Sequence, residues 1–238
     1  MKYNIISIND ERAAYKENIR ANVHLEEVHI PGINGFEVDL GEELEKRGIK
    51  LAHSGMFSKG EIGVWLSTFD CWQWSVDNNE ELVVFEDDAI PTGTFDFQLS
   101  KLYYELPADY AFLALWIPDN QKIDYLYHVE YNDEGIPTWM GANKDASTSV
   151  FNIPGVTRLA KVYNGYGNVA QLYSPKGSQF FIDRVREVGI YTPVDCYLYQ
   201  EAHSGRCAGY GPKPYWANLV KYDWPKTTVH IGDRVVLD

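Results

Sequence analysis

The sequence has little positive charge, few cysteines and no long hydrophobic run. Its 34 Asp and Glu residues outnumber its 21 Lys and Arg residues, and the formal charge of −13 argues against broad electrostatic binding to nucleic acid or to an anionic membrane. No stretch approaches the roughly 18 apolar residues of a membrane span. Residues 1–10 also lack the basic start and apolar centre of a secretory signal.

The cysteines indicate a reducing compartment. Cys71, Cys196 and Cys207 are odd in number and do not have the spacing of metal ligands. Proteins of reducing compartments rarely form disulfides. We therefore expect a soluble, cytoplasmic protein without a membrane span.

The chain also has no Pro/Ser-rich linker, no low-complexity segment and no internal repeat. Its 238 residues are therefore expected to fold as one domain around one sizeable core. A P-loop and an HExxH pattern are absent as well. Their absence, together with the lack of a basic patch, disfavours a metal-dependent phosphotransferase or nuclease.

A short apolar run that ends in three acidic residues is the most informative feature present. Residues 82–91 read LVVFEDDAIP, so four apolar residues lead directly into Glu86, Asp87 and Asp88. This pattern predicts a buried, parallel strand. Ligands of open α/β sheets bind just beyond the carboxyl ends of the strands. The acidic tip is therefore the candidate active site, and a solvated turn that merely ends the strand is the alternative.

The three carboxylates predict a cation at this tip. Side chains alternate across a strand, so Glu86 and Asp88 are expected to face one way and Asp87 the other. Like charges about 4 Å apart repel by roughly 4 kcal/mol at an effective dielectric of about 20, so a close pair needs a cation or a proton. Carboxylate oxygens suit Mg²⁺ or Mn²⁺, and these ions in turn suit a diphosphate.

The rest of the chain alternates strand and helix signals, which indicates an α/β fold. Ser58 and Glu61 have the spacing of a capping box before a helix predicted at 61–76, so Glu61 is interpreted as a cap rather than a catalyst. Ser174 and Gly189 bound a second well-marked helix. Further predictions are strands at 3–8, 28–30, 110–117 and 168–173, helices at 12–20, 41–47 and 92–106, loops with short antiparallel strands at 118–165, and a loop at 203–214.

Four segments, taken in order, resemble glycosyltransferase family 25, whose members include bacterial lipopolysaccharide galactosyltransferases and collagen galactosyltransferases. The first is residues 5–12, which are similar to the family's opening strand and Asn/Arg-containing turn. In the second, Gly60-Glu61-Ile62-Gly63 with Leu66-Ser67 resembles the family's helix start G-E-I-G-C-x-L-S-H, and in the third, residues 85–89 resemble its acidic strand end L-E-D-D-A. The fourth is residues 168–195, which resemble its later strand, S-x-x-G helix and P-[VI]-D loop. Val64 stands where the family has Cys, and Thr68 where it has His. Residues 118–165 align with nothing in the family. A region of this kind tends to recognise the acceptor, so the resemblance does not identify the acceptor.

The resemblance implies a GT-A fold, in which a Rossmann-like mixed central sheet flanked by helices holds a nucleotide sugar. It implies a single GT-A domain over residues 1–238. Within that domain, residues 1–117 would form the nucleotide-sugar-binding half and residues 118–238 the acceptor-facing half.

The resemblance also implies roles for the acidic tip and for the opening turn. Asp88 would ligate the metal, and Glu86 and Asp87 would contact the ribose or metal-bound water. The opening turn would place three residues near the nucleotide, namely Ser7, Asn9 and Arg12. His230 is added as a further metal ligand because several GT-A families use a C-terminal His in this way. The alternative for His230 is a structural role.

Because the family inverts the anomeric centre, a base must activate the acceptor hydroxyl. Asp195, in the loop predicted after the second helix, is the candidate. The alternative is that Asp195 caps a helix at 196–202, since Asp is a favoured N-cap residue. Other candidates for the base are Asp145, Glu201 and His203.

The expected function is metal-dependent, inverting transfer of a hexose from a nucleotide sugar to an acceptor hydroxyl. A UDP-sugar is the expected donor, Mn²⁺ or Mg²⁺ the cofactor, and a carbohydrate, glycolipid or protein the acceptor. DNA as the acceptor is disfavoured by the acidic balance of the chain. The alternative is a nucleotide-sugar or carbohydrate-binding protein that has this fold without the chemistry, because a fold does not determine function.

Overall fold

The computed structural model describes most of the chain. The described residues are 1–8, 12–91, 95–96, 99–100, 106–115, 126–131, 137–143, 159–162, 167–212, 217–219 and 235. The helices are α1 (Ala13–Asn22), α2 (Leu40–Arg47), α3 (Lys59–Asn78), α4 (Pro175–Val188) and α5 (Val194–His203). The strands are β1 (Lys2–Ile6), β2 (Glu26–Glu27), β3 (Leu82–Glu86), β4 (Ala89–Pro91), β5 (Phe112–Ala114), β6 (Leu126–Tyr131), β7 (Pro137–Asn143), β8 (Leu159–Val162), β9 (Ala170–Tyr173), β10 (Gly209–Pro212) and β11 (Ala217–Leu219).

The acidic strand, β3, lies inside a mixed sheet. Seven strands of the described part of the chain form this sheet in the order β2-β1-β3-β9-β5-β10-β8. β3 runs parallel to β1 but antiparallel to β9, so the prediction of a parallel strand holds on the β1 side only. Parallel neighbours require crossover connections, which α1 supplies between β1 and β2, and α2 and α3 supply between β2 and β3. The sheet and its helices confirm the mixed, Rossmann-like α/β architecture expected from the sequence.

β3 is buried on both faces. Leu82 and Val84 belong to an apolar cluster with residues of α3, α4 and α5, whereas Val83 and Phe85 belong to a second cluster that includes Ile19 of α1. Burial on both sides explains why the strand reads as a continuous apolar run. The same alternation directs the side chain of Glu86, the last residue of β3, to the face of Leu82 and Val84.

α3 links the sheet to the segment that precedes α5. The predicted capping box is confirmed, because Ser58 Oγ accepts from Glu61 N at 3.2 Å and Ser58 N donates to Glu61 Oε2 at 2.7 Å. The Trp65 ring, which is buried, donates from Nε1 to the carbonyl oxygen of Thr192 at 2.9 Å. α3 therefore holds the chain just before α5 begins at Val194.

Two element predictions differ from the structure for identifiable reasons. β2 ends at Glu27. Val28 N still donates to the carbonyl oxygen of Tyr3 at 2.8 Å, but at Ile30 the side chain of Asn4 binds both the N–H and the carbonyl oxygen, so the predicted strand at 28–30 does not form. The predicted loop at 203–214 contains β10, which pairs with β5 and β8. Its Gly209 is required by packing, because a Cβ there would lie 2.5 Å from the Phe112 ring.

The remaining predictions are confirmed where the structure describes them. α2 ends at Gly48 in a left-handed conformation, and α4 begins after its Ser174 cap and ends before Gly189. β6 and β7 form an antiparallel pair within 118–165. The predicted strand at 110–117 is shorter, and the predicted helix at 92–106 is seen only at 95–96 and 99–100, with its other residues up to 105 outside the described part. None of the helices in the described ranges is long and apolar enough to cross a membrane.

Candidate active site

The parallel register of β1 and β3 places Ser7 beside Asp87. Ile6 is the partner of Glu86 in the ladder, so the residues that follow these two lie next to each other just beyond the strands. Ser7 Oγ donates a hydrogen bond to Asp87 Oδ2 at 2.8 Å. Asp87 itself is only 7% exposed, so its carboxylate depends on such partners.

Arg12 supplies the cation at the acidic tip. It precedes α1, and its Nη1 donates to Asp87 Oδ1 at 2.7 Å and to Asp88 Oδ2 at 3.3 Å. Both oxygens of Asp87 are therefore engaged, one by Ser7 and one by Arg12. The sequence-based pairing placed Asp88 with Glu86. In the structure Asp88 shares a partner with Asp87, because the strand ends at Glu86 and the chain then turns.

The surroundings of Glu86 and Asp88 disfavour the ionised form of both carboxyl groups. Removal from water raises the pKa of Glu86 well above its ordinary value, and the charges of Asp88, Asp195 and Asp87 raise it further. Burial likewise raises the pKa of Asp88, against the opposing effect of Arg12. Asp88 Oδ1 is buried and has no hydrogen-bond partner among the described residues. The tip thus retains one carboxylate oxygen that can accept a further cation or donor.

Asp195 lies in the first turn of α5. Both sequence-based placements were wrong, because the helix begins at Val194 with Pro193 in the cap position. Asp195 Oδ1 accepts from Cys196 N at 2.8 Å, and Oδ2 accepts from Gly167 N at 2.7 Å. A carboxylate in a first helical turn is also stabilised by the helix dipole.

The segment before β9 brings Asp195 towards the acidic tip. Glu86 N donates to the carbonyl oxygen of Val169 at 2.9 Å, and Gly167, two residues earlier, donates to Asp195. The charge of Asp195 is accordingly one of those that raise the pKa of Glu86. Gly167 has φ of 93°, a conformation that glycine adopts at little cost. Sequence analysis did not single out this glycine, although glycine between Tyr166 and Asn168 is a turn signal.

A loop at 31–35 flanks the same end of the sheet. A Cβ on Gly32 would lie 2.4 Å from the carbonyl oxygen of Ser7, and a Cβ on Gly63 would lie 2.6 Å from that of Ile33. Ser67 Oγ accepts from Ile33 N at 2.8 Å. The G-E-I-G and L-S residues of α3 therefore hold this loop against the end of β1, a role that only the structure reveals.

Thr68, which stands where the family has His, contacts the segment that precedes β9 and pairs with Glu86. It is fully buried, and its hydroxyl accepts from Asn168 Nδ2 at 3.4 Å. Asn168 in turn accepts from the Tyr173 hydroxyl at 3.3 Å and directly precedes Val169, the partner of Glu86. This chain therefore uses the His position for buried contacts between α3 and β9.

The other sequence candidates divide into three groups, and His203, alone in the first, is exposed at the end of α5. Glu201 is fully buried and is held by Arg206 and by the Tyr191 hydroxyl at 3.0 Å, so it is a structural ion-pair residue and not an available base. Asn9, Asp145 and His230 lie outside the described residues.

The donor set partly fits a divalent metal. In the described part of the chain, no three His, Cys, Asp or Glu side chains are grouped so that they could hold an ion. Mg²⁺ is usually held through only one or two carboxylates, with the remaining ligands coming from substrate phosphates and water. The unpartnered Oδ1 of Asp88 is a carboxylate oxygen that is available for such an ion.

The Rossmann-like mixed sheet has three carboxylates at the end of β3 and Ser7 just beyond the adjacent parallel strand β1, so this edge of an α/β protein is the candidate ligand site. The model of glycosyltransferase family 25 (LPS biosynthesis protein) matches residues 4–198. Because this match covers most of the chain, the protein belongs to glycosyltransferase family 25 and is a glycosyltransferase. The matched range contains the acidic tip and Asp195, whereas His230 lies beyond it. No curated protein matches the chain.

Proposed function

We propose that this glycosyltransferase transfers a hexose from a UDP-sugar to an acceptor hydroxyl with inversion, using Mn²⁺ or Mg²⁺ at Asp88. The observation that carries the proposal is the buried, unpartnered Oδ1 of Asp88 at the carboxyl end of β3. A divalent ion bound there would neutralise charge on the diphosphate leaving group. His230 stays a prediction for a further ligand.

The residues around the tip would bind and orient the donor. Ser7 and Arg12 fix the carboxylate of Asp87 between them, so that it can contact the ribose or metal-bound water without rotating freely. Glu86 would contact the same region of the donor, and Asn9 would lie near the nucleotide. Fixed partners of this kind reduce the entropy that binding must otherwise overcome.

Asp195 is proposed as the base on the acceptor side. Its support is its position: it comes from a separate helix, and its charge acts on Glu86. The two backbone hydrogen bonds that it accepts hold it in place and engage both of its oxygens. The same bonds favour a second role, in which Asp195 positions Gly167 and the segment that supports Glu86.

The acceptor is proposed only as a hydroxyl of a carbohydrate, glycolipid or protein. We place the reaction in the cytoplasm, because Cys71, Cys196 and Cys207 are thiols that form no disulfide, as a reducing compartment maintains.

A thermal-shift panel tests the donor and the cofactor together. Purified protein is heated with UDP-, GDP-, CMP- and TDP-sugars, each with and without Mn²⁺. A ligand at 100 times its dissociation constant adds about 2.7 kcal/mol to stability, which shifts the melting temperature measurably. We expect the largest shift with a UDP-sugar and Mn²⁺, together with release of UDP when acceptors are added. Binding of the donor without any release of UDP would indicate the non-catalytic alternative.

A further inference from the structure

Arg12 lies between two carboxylates of the acidic tip, and one of them, Asp88, is the proposed metal ligand. Its Nη1 lies 2.7 Å from Asp87 Oδ1 and 3.3 Å from Asp88 Oδ2. The Asp88 carboxylate therefore already has a cation on one oxygen, while its other oxygen has no hydrogen-bond partner in the described part of the chain. In the free protein the guanidinium is thus the counter-ion of the acidic tip.

A guanidinium and a divalent ion are poor neighbours on one carboxylate. Arginine does not lose its proton in proteins, so Arg12 cannot relieve the repulsion by becoming neutral. Arg12 can relieve the repulsion only by moving its side chain away from Asp88. The position of Arg12 permits this, because its side chain is 29% exposed and does not cap α1.

We propose that Arg12 and the divalent cation exclude each other at Asp88, so that metal binding requires Arg12 to leave the carboxylates. This inference rests on the proposed metal-dependent function and adds a resident competitor to it. Arg12 then becomes available for the donor diphosphate, since planar guanidinium groups bind phosphate oxygens well. Metal and UDP therefore bind with positive coupling, because the diphosphate offers Arg12 a new partner.

The first test measures binding of Mn²⁺ alone, by calorimetry, to the donor-free protein. We expect Arg12→Gln to bind Mn²⁺ about 10-fold more tightly than the wild type, or more, because the competitor is removed. Arg20→Gln is the matched control. It removes the same charge from α1, the helix that Arg12 precedes, but Arg20 pairs with Glu17 and Glu27 instead of the tip. Arg20→Gln should leave the affinity for Mn²⁺ nearly unchanged.

Two further measurements separate direct competition from general electrostatic attraction. The gain in Arg12→Gln should persist in about 0.5 M NaCl, where long-range attraction is screened. It should disappear in the double variant with Asp88→Asn. Unfolding curves check that each variant is folded.

The coupling gives the second test. UDP should increase the affinity of the wild type for Mn²⁺, and it should do so less in Arg12→Gln. Unchanged or weaker Mn²⁺ binding in Arg12→Gln, an equal gain in Arg20→Gln, or no Mn²⁺ binding to either protein would overturn the competition. If the wild type nevertheless releases UDP from a UDP-sugar, the proposed transferase function stands and only this inference is lost. If no UDP-sugar binds or is cleaved while Arg12→Gln still gains affinity for Mn²⁺, the proposed donor chemistry fails instead.

Discussion

The two carboxylate oxygens of Asp88 differ in their partners, so substitution of this residue tests whether a metal ion binds there. Oδ2 is bound by Arg12, whereas Oδ1 is buried without a partner in the described residues. We expect Asp88→Asn to abolish transfer, because an amide oxygen is a weaker ligand than a carboxylate, and EDTA to abolish it in the wild type. Transfer assays and unfolding curves check this. Full activity of Asp88→Asn in EDTA would contradict a metal at this position.

Asp195 requires two variants, because its proposed roles depend on different atoms. As a base it needs a carboxylate, and we expect Asp195→Asn to reduce turnover by about 10²- to 10⁴-fold with donor affinity retained. As a positioning residue it needs only an oxygen that accepts from Gly167 N, which Asn can supply and Ala cannot.

The measurements for Asp195 are turnover, UDP-sugar affinity and melting temperature for both variants. Near-normal turnover in Asp195→Asn with a loss in Asp195→Ala would remove Asp195 as the base. It would leave Asp195 as the residue that holds Gly167 and, through Val169, the backbone of Glu86. Glu201 would not replace it, because its carboxylate is bound inside the α5 ion-pair cluster.

At the scale of elements, α3 carries the loop at 31–35 beside the end of β1. We expect Gly63→Ala to displace this loop, because a Cβ there would meet the carbonyl oxygen of Ile33 at 2.6 Å. Overpacking of this kind costs about 1–3 kcal/mol of stability. Ser67→Ala should displace the same loop by removing the acceptor of Ile33 N.

Both loop variants should weaken UDP-sugar affinity more than they lower turnover at saturating donor. Glu61→Gln is the control on the same helix, because Gln can preserve the reciprocal cap with Ser58. It should keep near-normal kinetics. If Gly63→Ala and Ser67→Ala lose stability but keep the wild-type donor affinity, the loop supports the fold and not the donor.

At the scale of the whole molecule, the edge of the sheet is stabilised by a pH-dependent ion pair. Arg20 Nε of α1 lies 2.9 Å from Glu27 Oε2 at the end of β2. Hydrogen bonding from Arg20 lowers the pKa of Glu27. The stabilisation is therefore complete above the ordinary Glu value of 4.5 and is lost as the pH falls through the lower folded pKa.

We expect Glu27→Gln to lower the free energy of unfolding by at most about 1 kcal/mol at neutral pH, because the pair is partly exposed. The wild type and the variant should converge as the pH falls below the folded pKa of Glu27, where Glu27 is protonated in both the folded and the unfolded wild type. Urea unfolding at neutral pH and at a series of lower pH values measures this difference. A difference that grows on acidification would contradict the assignment.

The local signals of the sequence were sufficient for α3, α4 and β3. Caps such as Ser58 with Glu61 act over three residues, and an apolar run reports burial of its own strand, so neither depends on distant parts of the chain. The acidic tip followed from the same reasoning, because the end of a strand in an α/β sheet is a place where ligands bind.

Only the tertiary structure decided how the site is assembled. Arg12 and Asp87 are 75 residues apart in sequence, and Gly167 and Asp195 are 28 apart, so their contacts depend on sheet register and helix placement. The hydrophobic pattern of the sequence likewise did not indicate the antiparallel direction of β9 or the helical position of Asp195. Periodicity and caps describe a residue's own element, whereas the partner of a side chain is set by which elements the fold brings together.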